Sequence, residues 1–175
     1  MKLMNNSETQ DQLSIESDSI DPTSHQPTHL LFNSNMNITY KVNAPLSTNQ
    51  FLSVLRESSL AERRPVDDAP CIEGMVNNSN LLITAWVDDL PIAIARSMTD
   101  FHYACYLSDL AVHKDYQNRG IGKKLLAMTQ QQLGPKCKLI LVSAPDANAY
   151  YEHIGFSNSE RCWVLGRDGD IKSHR

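Results

Sequence analysis

Apolar positions along the chain follow the helical period in some segments and the strand period in others. The first 36 residues follow neither, and sixteen of them are Ser, Thr, Asn or Gln. Such a segment buries too little to offset the entropy of ordering it. The reading is therefore a disordered acidic and polar tail over 1–36, with Leu30-Leu31-Phe32 as its one apolar spot, and a single domain over 37–175. A short strand is predicted from Asn37 to Val42. Ser47 then caps a helix, with Gln50 placed for a capping box and Leu46 and Phe51 for a hydrophobic staple. Phe51, Val54, Leu55 and Ser58 keep helical spacing, and Pro65 ends the run by Arg64. Residues 69–77 predict a second short helix. Leu81 to Val87 reads as a strand, Asp88-Asp89 as a tight turn, and Pro91 to Arg96 as the hairpin partner. Tyr103 to Val112 predicts a third β-rich strand. Beyond Asn118-Arg119-Gly120 a helix carries Ile121, Leu125, Met128 and Gln132 on one face, and Gly134-Pro135 closes it. Lys138 to Val142 reads as a buried strand, 146–154 as a short helix and Arg161 to Leu165 as a last strand. The order β-α-α-β-β-β-α-β-α-β predicts an α/β fold on a mixed sheet.

Charge narrows the function. The chain has 175 residues and a formal net charge of −4. Residues 1–36 hold one base and five acids, whereas 37–175 hold fifteen of each sign, so the body is neutral. A neutral body argues against nucleic acid as a partner, because that affinity comes from a basic face. No apolar run approaches the ~20 residues that span a bilayer, and Lys2-Leu3-Met4 runs straight into Asn5-Asn6-Ser7 rather than into a signal-peptide core. Cys71, Cys105, Cys137 and Cys162 form no CxxC pair and read as reduced thiols. His25 and His29 have HxxxH spacing, but Pro27 lies between them. The expectation is a cytoplasmic chain with no metal and no membrane contact.

Candidate chemistry concentrates in Leu110-Ala111-Val112-His113-Lys114-Asp115-Tyr116-Gln117-Asn118-Arg119-Gly120-Ile121-Gly122-Lys123. A strand feeds a loop whose two glycines open a helix. Open N–H groups in a first helical turn, with the helix dipole, attract anions, and Arg119 and Lys123 add positive charge. A phosphate or pyrophosphate suits such a place. Setting GxxxxGK(S/T) on Gly122-Lys123 puts Gln117 at the first glycine and Lys124 at the hydroxyl, so the P-loop pattern fails. Setting GxGxxG on Gly120 and Gly122 puts Leu125 at the third glycine, so the dinucleotide pattern fails as well. The pattern that fits is Gln/Arg-x-x-Gly-x-Gly, filled by Gln117, Gly120 and Gly122.

With Leu110-Ala111-Val112 leading into that loop, and Tyr150-Tyr151-Glu152-His153-Ile154-Gly155-Phe156 following about thirty residues later, the sequence resembles the GNAT superfamily of acyl-CoA-dependent N-acetyltransferases over about residues 37–166. The resemblance implies a mixed, largely antiparallel sheet with a splayed parallel strand pair and helices on both faces. It implies that the backbone of Leu110, Ala111 and Val112 pairs with the pantetheine arm of acetyl-CoA. The amides from Asn118 through Arg119, Gly120, Ile121 and Gly122 to Lys123 would hold the pyrophosphate, with Gln117 at the first loop position. Tyr151 matches the family tyrosine near the thioester sulfur. Where many members have Asn, seven residues before that tyrosine, this chain has Ala144; Asn148, one turn along, is the candidate substitute for cofactor contact. Homodimers are common in the family.

Physical chemistry supports some of these roles independently. Direct transfer needs a neutral amine, a polarised thioester carbonyl and a proton for the departing thiolate. Backbone N–H groups of the 110–112 strand could polarise the carbonyl without reorganising. A phenol is a competent donor to a thiolate, because their ordinary pKa values lie within about two units. Tyr151 can also be a core aromatic on Phe156, and Tyr150, one residue off on a helix, points about 100° away. For the base, Asp109 precedes Leu110, and strict alternation puts it on the side of Leu107 and Ala111. A carboxylate in an apolar strand needs a partner, so its role is either catalytic or structural. Asp100 and His102 read as solvated turn residues, and Glu62-Arg63-Arg64-Pro65-Val66-Asp67-Asp68 as a charged loop or part of the acceptor site. The function expected is acetyl transfer from acetyl-CoA to a small primary amine. The alternatives are a protein or peptide acetyltransferase, whose basic substrates the acidic tail could attract, and an acyl-CoA-binding module without turnover.

Overall fold

The computed structural model describes residues 37–172, so the tail expected over 1–36 lies outside the described residues. A five-stranded sheet runs in the order β1-β2-β3-β4-β5, with β1 Ile38–Val42, β2 Leu81–Val87, β3 Leu90–Thr99, β4 Ala104–Val112 and β5 Lys138–Ile140. The first three pairings are antiparallel and β4–β5 is parallel.

Local sequence starts the helices where expected. α1 (Thr48–Arg56) has the capping box: Gln50 N–H donates to Ser47 Oγ at 3.2 Å, and Ser47 N–H to Gln50 Oε1 at 3.0 Å. It buries Phe51, Val54 and Leu55. With Ile72 of α2 (Ala69–Asn77), these side chains cover one sheet face against Trp86, Ile94 and Ala111. α3 (Ile121–Gln131) covers the opposite face, where Ile121, Leu125 and Leu126 pack on Ile83, Ala95, Cys105 and Leu107. The Gly134 N–H donates to Phe101 O at 2.8 Å, and a Cβ on Gly134 would lie 2.9 Å from that oxygen. A glycine is needed there for the approach that docks the end of α3 on the β3–β4 turn. α4 (Asn148–His153) follows β5.

Three expectations are corrected. The first helix stops at Arg56 rather than Arg64, and Ser58 then caps a 3-10 turn over Ser59–Arg63, with its Oγ donating to Leu55 O and accepting from Leu60 N–H. That hydroxyl bonds backbone groups on both sides of the break, as serine does where a helix is interrupted. β5 is shorter and more exposed than the buried strand expected to Val142, with Ile140 44% and Val142 57% exposed, because it is the sheet edge. Residues 161–165 form no strand, and Trp163 is 92% exposed. β propensity describes fit to a pleated, half-buried surface, and this segment meets none. Among the described residues no helix is long and apolar enough to cross a membrane.

Candidate active site

A bulge in β4 organises the site. Arg96 of β3 is opposite Asp109 while Ser97 is opposite Leu107, which leaves Ser108 as the extra residue. An extra residue shifts the two-residue alternation by one. Cys105 and Leu107 therefore face α3, whereas Ala111 faces α1 and α2. Unbroken alternation predicted Leu107, Asp109 and Ala111 on one side, and the bulge overturns that.

β4 touches β5 only through Ala104, Cys105 and Tyr106. Beyond Tyr106 the strands part, and among the described residues 107–112 keep β3 as their only strand neighbour. Backbone groups on the open side lack a ladder, and such groups need partners. The gap is a cavity of about 550 Å³, within the roughly 300–1,000 Å³ typical of ligand sites. Leu107, Ser108, Leu110, Ala111 and Val112 form one wall, and Leu141, Val142, Tyr150, Tyr151 and Ile154 stand opposite.

At the end of β4 the chain turns through two left-handed residues, Asn118 (φ 59°) and Gly120 (φ 75°), before α3. α3 has no side-chain cap, and the first amide bonded back is Lys124 N–H to Gly120 O at 3.0 Å. The amides of Ile121, Gly122 and Lys123 thus have no intrahelical acceptor. Gln117, Asn118, Gly120, Ile121, Gly122 and Lys123 all line the cavity. The Gln117 side-chain amide donates to Val112 O at 3.0 Å, tying loop to strand. Arg119 is not in the lining; its guanidinium stands over the Tyr116 ring at 5.6 Å. Asn148 is exposed and outside the lining, with its side chain against the Ser143 hydroxyl.

Both tyrosines reach the cleft. Tyr151 is half-buried, edge-on to Phe156 at 5.5 Å and to Tyr150 at 5.3 Å. The Tyr150 hydroxyl lies 3.4 Å from where a Cβ on Gly122 would sit, so Tyr150 is the phenol beside the α3 start. Despite the roughly 100° offset expected between neighbours on a helix, a cleft open along α4 admits both rings. Burial pushes both phenols above their ordinary pKa, and Tyr150 adds to the effect on Tyr151, so both stay protonated near neutrality.

Asp109 sits outside the lining, its side chain 0% exposed. Its Oδ1 accepts from Arg64 Nε and its Oδ2 from Arg96 Nε. Arg64 also donates from Nη2 to Ser108 O at 2.7 Å and from Nη1 to Arg63 O at 2.8 Å. The Arg96 Nη2 donates to Ser108 Oγ at 2.8 Å. Arg64 thereby joins the 3-10 turn to the bulge and brings Ser58, Ser59, Leu60 and Arg63 to the cleft. Sequence reasoning marked Arg63 and Arg64 as an acceptor-side candidate but missed Ser58, Ser59 and Leu60, whose only signal was their place before that charged run. Asp100 is a turn residue: its Oδ1 accepts from the N–H groups of His102, Tyr103 and Ala104.

The parallel pair thus splays over an uncapped helix start, a shape that would fit an extended arm ending in phosphates. The class this defines is the acyl-CoA-dependent N-acyltransferases. Comparison with known proteins agrees: the family described as "Acetyltransferase (GNAT) domain" matches residues 78–158. A curated relative, the uncharacterized N-acetyltransferase ycf52 of Gracilaria tenuistipitata var. liui, is 26% identical over 123 residues, 66% of this chain and 68% of its own length. The GNAT family acetyltransferase SP0256 of Streptococcus pneumoniae TIGR4 superposes with a TM-score of 0.56 at 17% identity, over 75% of this chain and 100% of that one. The aminoglycoside N-acetyltransferase AAC(6')-Iy, solved with CoA, gives a TM-score of 0.60 at 16% identity, over 79% and 99%. Together these likenesses support the GNAT superfamily and an acyl-CoA-dependent N-acyltransferase.

Proposed function

We propose that the protein transfers the acetyl group of acetyl-CoA to a small-molecule primary amine, directly and within a ternary complex. The observation that carries this is the unpaired edge of β4 from Leu107 to Val112, running into the uncapped start of α3. An extended pantetheine arm fits that edge, and the amides of Ile121, Gly122 and Lys123 suit a pyrophosphate. CoA bound to the structural neighbour AAC(6')-Iy supports this donor.

The roles follow from position. Backbone N–H groups of Leu110 to Val112 polarise the thioester carbonyl. The amine nitrogen attacks the carbonyl carbon, the C–S bond breaks, the thiolate takes a proton from the Tyr151 phenol, and the proton that the nitrogen sheds on becoming an amide returns to the phenolate. The ammonium of the free acceptor gives its proton to water or to the His153 imidazole, the cleft lining holding His153 but no carboxylate among the described residues. Asp109 was a candidate base; with both oxygens engaged by guanidinium groups, its proposed part is to position Arg64. The four cysteines are free thiols, which supports a reducing compartment such as the cytoplasm for the reaction.

The test is acetyl-CoA binding by calorimetry, followed by CoA release across a panel of amines, peptides and aminoglycosides. Release with small amines is the expected result. Tight CoA binding with no turnover on any acceptor would establish a binding module instead.

A further inference from the structure

The cleft is charged with one sign only. Its fixed charges are Arg63, Arg64 and Lys123, and no Asp or Glu is among the residues that line it. Lys123 belongs to the α3 start. Arg64 is held at Ser108, four residues up-strand of Val112, which is about 13 Å along an extended chain. Arg64 therefore stands beside the bulge, and Arg63, its neighbour in the turn, also lines the cleft.

Their own partners leave capacity. Arg64 uses one N–H each on Asp109, Ser108 and Arg63, three of the five donors a guanidinium carries. Its side chain is 22% exposed. Among the described residues no carboxylate lies within ion-pair distance of Arg63, which is exposed. Asp109, the nearest acid to Arg64, is fully buried and faces Arg64 and Arg96.

We infer, building on the acetyl transfer proposed above, that the acceptor is an amine that also carries an anionic group, carboxylate or phosphate, held by Arg63 and Arg64. A guanidinium fork matches either anion in two-point geometry. A polycation such as an aminoglycoside would bring further ammonium groups to a wall with no carboxylate to receive them. Anchoring the anion at the turn leaves the amine free to reach the carbonyl beside Leu110. The transfer balances without further reactants: the C–S bond breaks, an amide C–N bond forms, and the acid keeps its charge.

The experiment measures CoA release by the full chain with matched acceptors: α- and ω-amino acids, their carboxamides, their decarboxylated amines, O-phosphoethanolamine and kanamycin. The acid-bearing member of a set should exceed its uncharged counterpart at least tenfold in kcat/KM, with kanamycin weakest. The amino acids and the phosphorylated amine distinguish a carboxylate from a phosphate anchor. Arg63→Glu, at an exposed position, should cut that preference tenfold or reverse it, while calorimetry shows CoA affinity within about twofold of wild type. Preferred turnover of uncharged or polycationic amines would overturn the inference and leave acetyl transfer standing. A tenfold loss of CoA affinity in Arg63→Glu, with the acceptor preference intact, would assign the arginine to the cofactor and also overturn it. No transfer to any amine would remove both.

Discussion

Replacing Asp109 by Asn removes one charge and almost no volume, so it isolates the electrostatics of the ion triad. The Arg96 side chain is 5% exposed and that of Asp109 0%, so Arg96 would keep a buried charge with no counterion. Breaking a buried pair from one side costs about 3–5 kcal/mol. Arg64 is 22% exposed and can turn part of its charge to water, and Asn still accepts one hydrogen bond, so the lower end, about 3 kcal/mol, is expected. For a domain of this size that lowers Tm by roughly 12 °C, at about 4 °C per kcal/mol. Urea melts followed by circular dichroism give the midpoint, and an unchanged slope would show that the native state keeps its compactness. The same variant discriminates roles. If Asp109 only positions Arg64, KM for the acceptor rises while the acid limb of the pH–rate profile stays in place. A midpoint within about 0.5 kcal/mol of wild type, with the acid limb abolished, would refute the structural assignment and restore Asp109 as the base.

Three further outcomes are expected. Tyr151→Phe should keep acetyl-CoA affinity by calorimetry and lower kcat several-fold or more; an unchanged kcat would remove Tyr151 from the mechanism, and the same test on Tyr150→Phe separates the two phenols. Gly120→Ala places a side chain at φ 75°, a left-handed conformation costing about 1–2 kcal/mol for a residue with a Cβ; chemical denaturation should show that loss, and calorimetry weaker CoA binding as the loop shifts. Three backbone amides, those of Tyr103, Ala104 and His102, lower the Asp100 pKa to about 2. A depressed carboxylate contributes stability fully above its unfolded pKa, near 4, and loses it as pH falls towards 2. The stability gap between wild type and Asp100→Ala should thus be constant above about pH 5 and narrow from pH 4 to pH 2. Urea melts at pH 6, 4 and 2 check this, and a gap independent of pH would contradict it.

Much of the architecture was legible because it is local. Ser47 and Gln50 announce α1, a run of apolar β-formers announces β2, and helical spacing with Gly134-Pro135 announces α3; each signal lies within one or two turns of what it specifies. The loop from Gln117 to Lys123 was readable for the same reason, since an open helix start depends only on its own residues. Long-range pairing was not readable in this way. Arg161 to Leu165 has a strand's composition but meets no sheet edge, and Lys138 to Val142 keeps only three residues in the ladder because β4 and β5 part.

The sequence by itself determined the helix starts, the order of elements as far as α4, the anion-ready loop and the likeness to a family, all properties of short stretches or their spacing. Only the tertiary structure decided which way the central strand's side chains point. One extra residue at Ser108 turns Asp109 and Ala111 towards α1 and α2, where Arg64 and Arg96 meet the carboxylate. A bulge is defined by the register of two strands, and register depends on residues far apart in the chain. The role of Asp109, and with it the placing of Arg64 at the cleft, therefore required the folded sheet.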